Sequence, residues 1–203
     1  MIKINFIILT HAHDDHFSGL QKVLEKYRVG QIIQGRPEKS TPAYESFLRA
    51  EKNNGAKIIR LSGGGGFRVG DCRVSVIAPL PEAKDENDRS LVTKIICNRH
   101  SFLLAGDLGL AGQKALRQKK FSLVSEFYKA SHHGADKNNQ PDLINLIDPK
   151  TIIITVGKNS FGHPGKNFLR EAANSHRILL RTDTLGTISF IISSKGVKIH
   201  NFK

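Results

Sequence analysis

Residues 10 to 16 read Thr-His-Ala-His-Asp-Asp-His, and no other stretch constrains this chain as much. Histidine and aspartate are the common nitrogen and oxygen ligands of catalytic zinc, manganese or iron. The run ahead of them, Ile2 to Leu9, is apolar and β-branched and reads as a strand. Behind them, Phe17, Leu20, Val23, Leu24 and Tyr27 recur at helical spacing, which predicts a helix from Phe17 to Arg28. The ligand types are therefore expected on a tight loop between a strand and a helix, where a rigid scaffold can aim short side chains at one point. His11 and His13 can reach one ion together, while Asp15 and His16 are adjacent and suit a second. Two ions about 3.5–4 Å apart clamp both the attacking oxygen and an oxyanion. A surface loop merely rich in histidine is the competing reading, and it loses weight because further ligand types follow.

Asp107 ends the apolar run Leu103-Leu104-Ala105-Gly106-Asp107, in position to bridge two ions, with Gly106 allowing close backbone approach. Its alternative role is a helix cap. Ser131-His132-His133-Gly134 follows a predicted strand in the same way. One of these imidazoles can complete the second ion's ligands, and the other can bind an oxyanion or protonate a leaving group. The residues alone leave open which does which. His163-Pro164 follows a fully apolar strand from Thr151 to Val156 and reads as a substrate contact, a partner behind a ligand, or a turn leading into a helix. His100, His176 and His200 read as structural.

The chain has 203 residues, one domain's worth (residues 1–203), with a formal charge of +13. Residues 1–109 hold 16 basic against 12 acidic side chains, and residues 110–203 hold 15 against 6. A basic field raises encounter rates with polyanions, although an unpartnered basic surface explains the charge equally well. Cys72 and Cys97 read as two buried apolar thiols in a reducing compartment. No apolar run is long enough for a membrane span, and no signal peptide is evident, so the expected location is the cytoplasm.

Further elements follow from local signals. Thr41-Pro42 opens a helix that Asn53-Asn54-Gly55 closes, and strands are expected over Val29 to Gln34 and Ala56 to Leu61. Ser62 to Gly66 reads as a plain turn, Phe67 to Ala78 as a hairpin, and Pro79 to Arg89 as a mobile polar loop. Strands over Ser90 to Cys97, His100 to Ala105 and Val124 to Ala130 alternate with helices over Leu110 to Gln118, Pro141 to Ile147 and Phe168 to Asn174. Three strands finish the chain. Strands outnumber helices, and hairpins mix with βα units, which gives an α/β fold of the αββα sandwich type.

The H-x-H-x-D-H pattern after a strand resembles the metallo-β-lactamase superfamily. Asn87-Asp88-Arg89-Ser90-Leu91-Val92, Phe102 to Asp107, Ser131 to Gly134, Gly162-His163-Pro164 and Arg181 to Gly186 sharpen this. In this order they resemble the metallo-β-lactamase-like domain of the competence protein ComEC and its stand-alone relatives, over about residues 4 to 193. The resemblance implies a metal-dependent hydrolase, acting as a phosphodiesterase or nuclease on single-stranded DNA with two divalent ions, zinc or manganese. It carries metal positions onto His11, His13, Asp15, His16, Asp107 and His133. Asp15 and His132 become the catalytic residues, and His163, Asn87 and Ser90 the substrate contacts. Asn87 and Ser90 stand where other branches place a further histidine, which leaves the first ion fewer protein ligands. Related domains also begin with further strands before the first motif. The resemblance therefore implies an αββα sandwich lacking the first strands of its N-terminal sheet, with a second copy or another chain covering the exposed edge. Two alternatives stand beside this reading: hydrolysis of a small phosphoester, lactone or thioester, and an inactive metal- or DNA-binding remnant.

Overall fold

The apolar run ahead of the histidines forms β1 (Lys3–Leu9), and β2 (Arg28–Gln34) pairs with it in parallel. A parallel pair requires a crossover, and α1 (Asp14–Lys26) supplies it. A second crossover, α2 (Pro42–Asn54), leads to β3 (Lys57–Arg60) and completes a three-stranded sheet in the order β1-β2-β3. The signals read for α2 operate as expected: the Thr41 hydroxyl accepts from the Tyr44 N–H, and Gly55 leaves the helix at φ 73°. The computed structural model describes residues 3–37, 41–61, 63–78, 80 and 82–202.

The second sheet has seven strands, in the order β10-β9-β8-β7-β6-β5-β4. Its antiparallel half is β4 (Gly65–Val69), β5 (Cys72–Ile77), β6 (Val92–Cys97) and β7 (His100–Leu104). Its parallel half adds β8 (Phe127–Lys129), β9 (Thr151–Ile154) and β10 (Ile178–Arg181) to β7. Between these strands run α3 (Leu110–Gln118), α4 (Pro141–Ile147) and α5 (Lys166–Asn174). After the short α6 (Thr182–Leu185), β11 (Thr187–Ser193) and β12 (Gly196–Phe202) close the chain as a separate hairpin.

Strand alternation sorts the core into layers. Leu103, Tyr128, Ile152 and Ile154 face α3, α4 and α5 through Leu116, Ile144, Ile147 and Phe168. Their neighbours Phe102, Phe127 and Ile153 face the other way, against Phe190, Ile192 and Val197 of the hairpin. Val74, Val76 and Leu91 meet Phe6, Ile8 and Ile33 of the first sheet. The outer side of that sheet buries Phe17, Leu24, Tyr44 and Phe47 from α1 and α2. Helices, sheet, sheet, helices is the expected αββα order, with the terminal hairpin extending the inner layer. In the three-stranded sheet β1 stands at one edge.

Four local expectations change. First, α1 starts at Asp14 rather than Phe17, because the His13 carbonyl accepts from the His16 and Phe17 N–H groups and two acidic residues suit the positive end of the helix dipole. Asp15 and His16 therefore ride on the first helical turn. Second, Cys72 and Cys97 are not separate thiols. The antiparallel register of β5 and β6 places them opposite one another, and they form a disulfide. Third, Glu86–Arg89 is a packed 3-10 turn rather than a mobile loop. The Glu86 carboxylate accepts from the Ala12 N–H at 2.9 Å, and buried Asp88 accepts from the Gly112 N–H of α3 at 2.7 Å, so acidic groups that looked solvated tie the first histidine loop and a helix in place. Fourth, the strand expected over Val124 to Ala130 is only three residues, β8. The expectations for Ile2, Ser62, Pro79 and Pro81 fall outside the described residues. No helix among the described residues is long and apolar enough to cross a membrane.

Candidate metal centre

Three loops meet at the C-terminal ends of β1, β7 and β8. The first carries His11 and His13 and runs into α1. The Leu91 N–H donates to the Thr10 carbonyl, and Glu86 holds the Ala12 N–H. The second turns at Gly106, φ 57°, where an added Cβ would lie 3.1 Å from both Ser90 and Thr10. Only a residue without a side chain lets these loops approach so closely. The third is Ser131–Gly134, whose His132 and His133 take positive φ values of 47° and 53°.

Two successive left-handed residues other than glycine require support from outside the turn. A buried polar network provides it. The Ser131 N–H donates to the Asn139 side-chain oxygen and to the Tyr128 hydroxyl, and the Ser131 hydroxyl donates to the Leu108 carbonyl. The Asn139 amide donates back to the carbonyls of Ser131 and Ala135. Gln113 and Asn138 also donate to the Leu108 carbonyl.

These loops bring Asp15, His16, Asp107 and His133 together, with one ligand atom from each lying within 4.8 Å of all the others. His133 Nε2 lies 3.2 Å from Asp15 Oδ2 and 3.6 Å from Asp107 Oδ2, and His16 Nε2 lies 3.3 Å from Asp107 Oδ2. The opposite ring nitrogen of His133 faces the Thr155 carbonyl at 2.7 Å. With Nδ1 donating there, the Nε2 lone pair faces the carboxylates, the arrangement usual for a ligand histidine. The Thr182 hydroxyl, which accepts from the Val156 N–H at 2.8 Å, holds the adjoining backbone. His16 Nε2 and Asp107 Oδ1 are buried with no hydrogen-bond partner. Buried polar atoms are rarely left unmatched. Two such atoms facing a His/Asp donor set fit a divalent metal ion.

His11 and His13 lie beside this cluster rather than in it. His11 Nε2 is 3.1 Å from His13 Nδ1, and the His11 and His16 ring centres are 4.1 Å apart. Thr10 Oγ1 stands behind both His11 and His16, 3.1 and 3.3 Å from their Nδ1 atoms. Burial, reinforced by the neighbouring His16, pushes the His11 imidazole down to about 3, so it is neutral and able to coordinate. Burial alone would raise the Asp107 carboxyl, but His16 and the Lys129 ammonium outweigh it and hold the group well below the usual carboxylate range. Burial would also raise the Asp15 carboxyl, but His16, the hydrogen bond from its own backbone N–H and His133 outweigh it and lower the group.

The remaining predicted residues divide. His132 Nε2 sits 4.0 Å from Asp107 Oδ2 at the margin of the cluster, and its ring lies 5.2 Å from that of His163. Burial lowers both imidazoles. Asn87 is half-buried on the 3-10 turn, its side-chain oxygen without a hydrogen-bond partner. Ser90 does not face the open side, contrary to the expected substrate contact. It is fully buried, and its hydroxyl accepts from the Asp107 N–H at 3.1 Å, so it positions a ligand loop. Sequence reasoning missed Lys129, whose ammonium lies 4.0 Å from Asp107 Oδ1 and hydrogen-bonds the Gly106 and Ala130 carbonyls. A lysine in a strand three residues before the histidine pair was the available signal.

A family model described as the metallo-beta-lactamase superfamily matches residues 2–157. Over 190 residues the chain is 28% identical to ComE operon protein 3 of Bacillus subtilis (strain 168), covering 93% of this chain and 24% of that protein. Over 205 residues it is 24% identical to Competence protein ComA of Neisseria gonorrhoeae, covering 99% of this chain and 27% of that protein. It thus spans about a quarter of the length of these curated relatives. Among solved structures it is similar to the metallo-beta-lactamase fold protein YhfI from Bacillus subtilis, with TM-score 0.46 and 11% identity, over 87% of this chain and 74% of that one.

Proposed function

The chain belongs to the metallo-β-lactamase superfamily, and from that premise we propose that it is a metal-dependent phosphodiesterase that cuts single-stranded DNA. The cluster of Asp15, His16, Asp107 and His133 carries this reading, because two of its buried atoms, His16 Nε2 and Asp107 Oδ1, have no hydrogen-bond partner. Asp15, His16, Asp107 and His133 would hold one divalent ion, zinc or manganese. His11 and His13 would hold a second. When bound, the metal supplies Lewis-acid polarisation of the phosphoryl oxygen and an acidified water.

The chain's own groups do the rest. Asp15, on the exposed margin, orients the attacking water and takes its proton. His132, outside the four-group cluster, stabilises charge developing on the phosphoryl oxygens. Lys129 keeps Asp107 ionised. The basic second half holds the polyanion, consistent with a relative named Competence protein ComA. The Cys72–Cys97 bond weighs against a cytoplasm that keeps thiols reduced. The test is cleavage of labelled single-stranded DNA with added manganese, with Asp15→Ala protein run in parallel. Cleavage by wild type alone, weakening steeply with salt, supports the reading. Salt-insensitive turnover of small esters without DNA cleavage replaces it with a small-ester hydrolase, and no turnover of either substrate removes the enzymatic reading.

A further inference from the structure

The segment Gly157 to Pro164 connects β9 to α5 and forms one rim of the metal cluster. One side chain organises it. The Asn159 side-chain oxygen accepts from the Phe161 and His163 N–H groups, both at 3.1 Å, and its amide donates to the Gly157 and His163 carbonyls at 2.9 and 2.8 Å. Gly162 completes the turn at φ 75°. This arrangement holds Phe161 out in solvent, 81% exposed, the most exposed large apolar side chain among the described residues.

A lone exposed apolar residue needs no explanation by itself. Two features set Phe161 apart: its backbone is fixed by hydrogen bonds, and its ring continues a series that ends at the metal cluster. The Phe161 ring lies 6.2 Å from that of His163 with the planes 24° apart. The His163 ring is 5.2 Å from that of His132, and His132 Nε2 is 4.0 Å from Asp107 Oδ2. Lys137 lies close enough for its charge to act on both His132 and His163, and exposed Lys158 is on the same segment.

We propose that Phe161 is a stacking platform for the nucleobase beside the phosphate held at the metal cluster, with His163 supporting its inner edge. The inference rests on the nuclease reading and identifies a substrate contact within it. Every base offers a π face, so such a platform grips single-stranded DNA without choosing a sequence. A base inside a duplex has both faces covered by its stacked neighbours, so the platform also sets a preference for single strands over duplex.

The test is binding of a short oligodeoxynucleotide carrying 2-aminopurine, in chelator so that no metal or turnover is involved. Wild type, Phe161→Ala and Phe161→Tyr are compared on this strand and on one of the same length with consecutive abasic sites. Phe161→Ala is expected to weaken binding of the base-bearing strand by about 5- to 100-fold, the range for one stacked base. Phe161→Tyr restores the affinity, and the abasic strand binds wild type and Phe161→Ala alike. Thermal unfolding of Phe161→Ala should match wild type, since the ring is exposed. Equal binding of the base-bearing strand by all three proteins, or the same loss on both strands, overturns the inference. The expected pattern without cleavage in manganese leaves the platform standing and removes the nuclease reading. Failure of wild type to bind either strand in chelator overturns the inference, and cleavage in manganese decides the nuclease reading separately.

Discussion

Gly106→Ala tests whether the metal loops owe their geometry to close backbone packing. The added methyl carbon would lie 3.1 Å from Ser90 Cβ, Ser90 Oγ and Thr10 Cβ, against about 3.5–4.0 Å for comfortable contact. The backbone at φ 57° is also unfavourable for alanine, by about 1–2 kcal/mol. Overpacking of a tight site adds about 1–3 kcal/mol. The combined loss of about 2–5 kcal/mol corresponds to a Tm lower by roughly 4–20 °C in a domain of this size. The neighbours that must yield are the ones that hold ligands: Thr10 backs His11 and His16, and Ser90 holds the Asp107 N–H. Metal affinity should therefore fall along with stability. Thermal unfolding by circular dichroism in chelator measures the first effect, and calorimetric titration with manganese the second. Ser90→Gly removes two of the three contacts, so the double variant should recover about 1 kcal/mol relative to the sum of the single changes. A Tm within about 2 °C of wild type, with unchanged metal affinity, would refute the packing argument.

Asp107→Ala should abolish metal-dependent turnover while leaving the far-ultraviolet spectrum native, because the carboxylate touches three imidazoles and a lysine rather than the apolar core; retained activity would remove Asp107 from the centre. Burial raises the Glu51 carboxyl, so its contribution to stability is fully present below the unfolded pKa and is lost as pH rises through the folded one. Glu51→Gln should therefore raise Tm at pH 8, by about 2–4 °C for each kcal/mol, with little effect at pH 4; a shift equal at both values would show that the charge is not the cause. Reducing the Cys72–Cys97 bond, which closes a loop with sequence separation 25, should cost about 3 kcal/mol and lower Tm in dithiothreitol; an unchanged transition would exclude a stabilising role.

The sequence alone determined the αββα order, because helical and alternating periodicities are written locally and each element buries one apolar face. α3 and α4 have the predicted bounds, and α2 begins and ends at its predicted cap residues. The candidate ligands were legible because their side-chain types are unusual together and each group follows a strand. Tertiary structure decided what depends on residues distant in the chain. The carbonyl of Thr155, just past the end of β9, orients His133. Ser90 became a support for Asp107 because the fold buries it under a glycine turn. Lys129 joined the centre because its strand points it toward Asp107, and two cysteines became a disulfide because antiparallel register set them opposite each other. The spacing of ligands along the chain identifies the chemistry, but the tautomers, charges and supports of those ligands come from neighbours that only packing brings within hydrogen-bond distance.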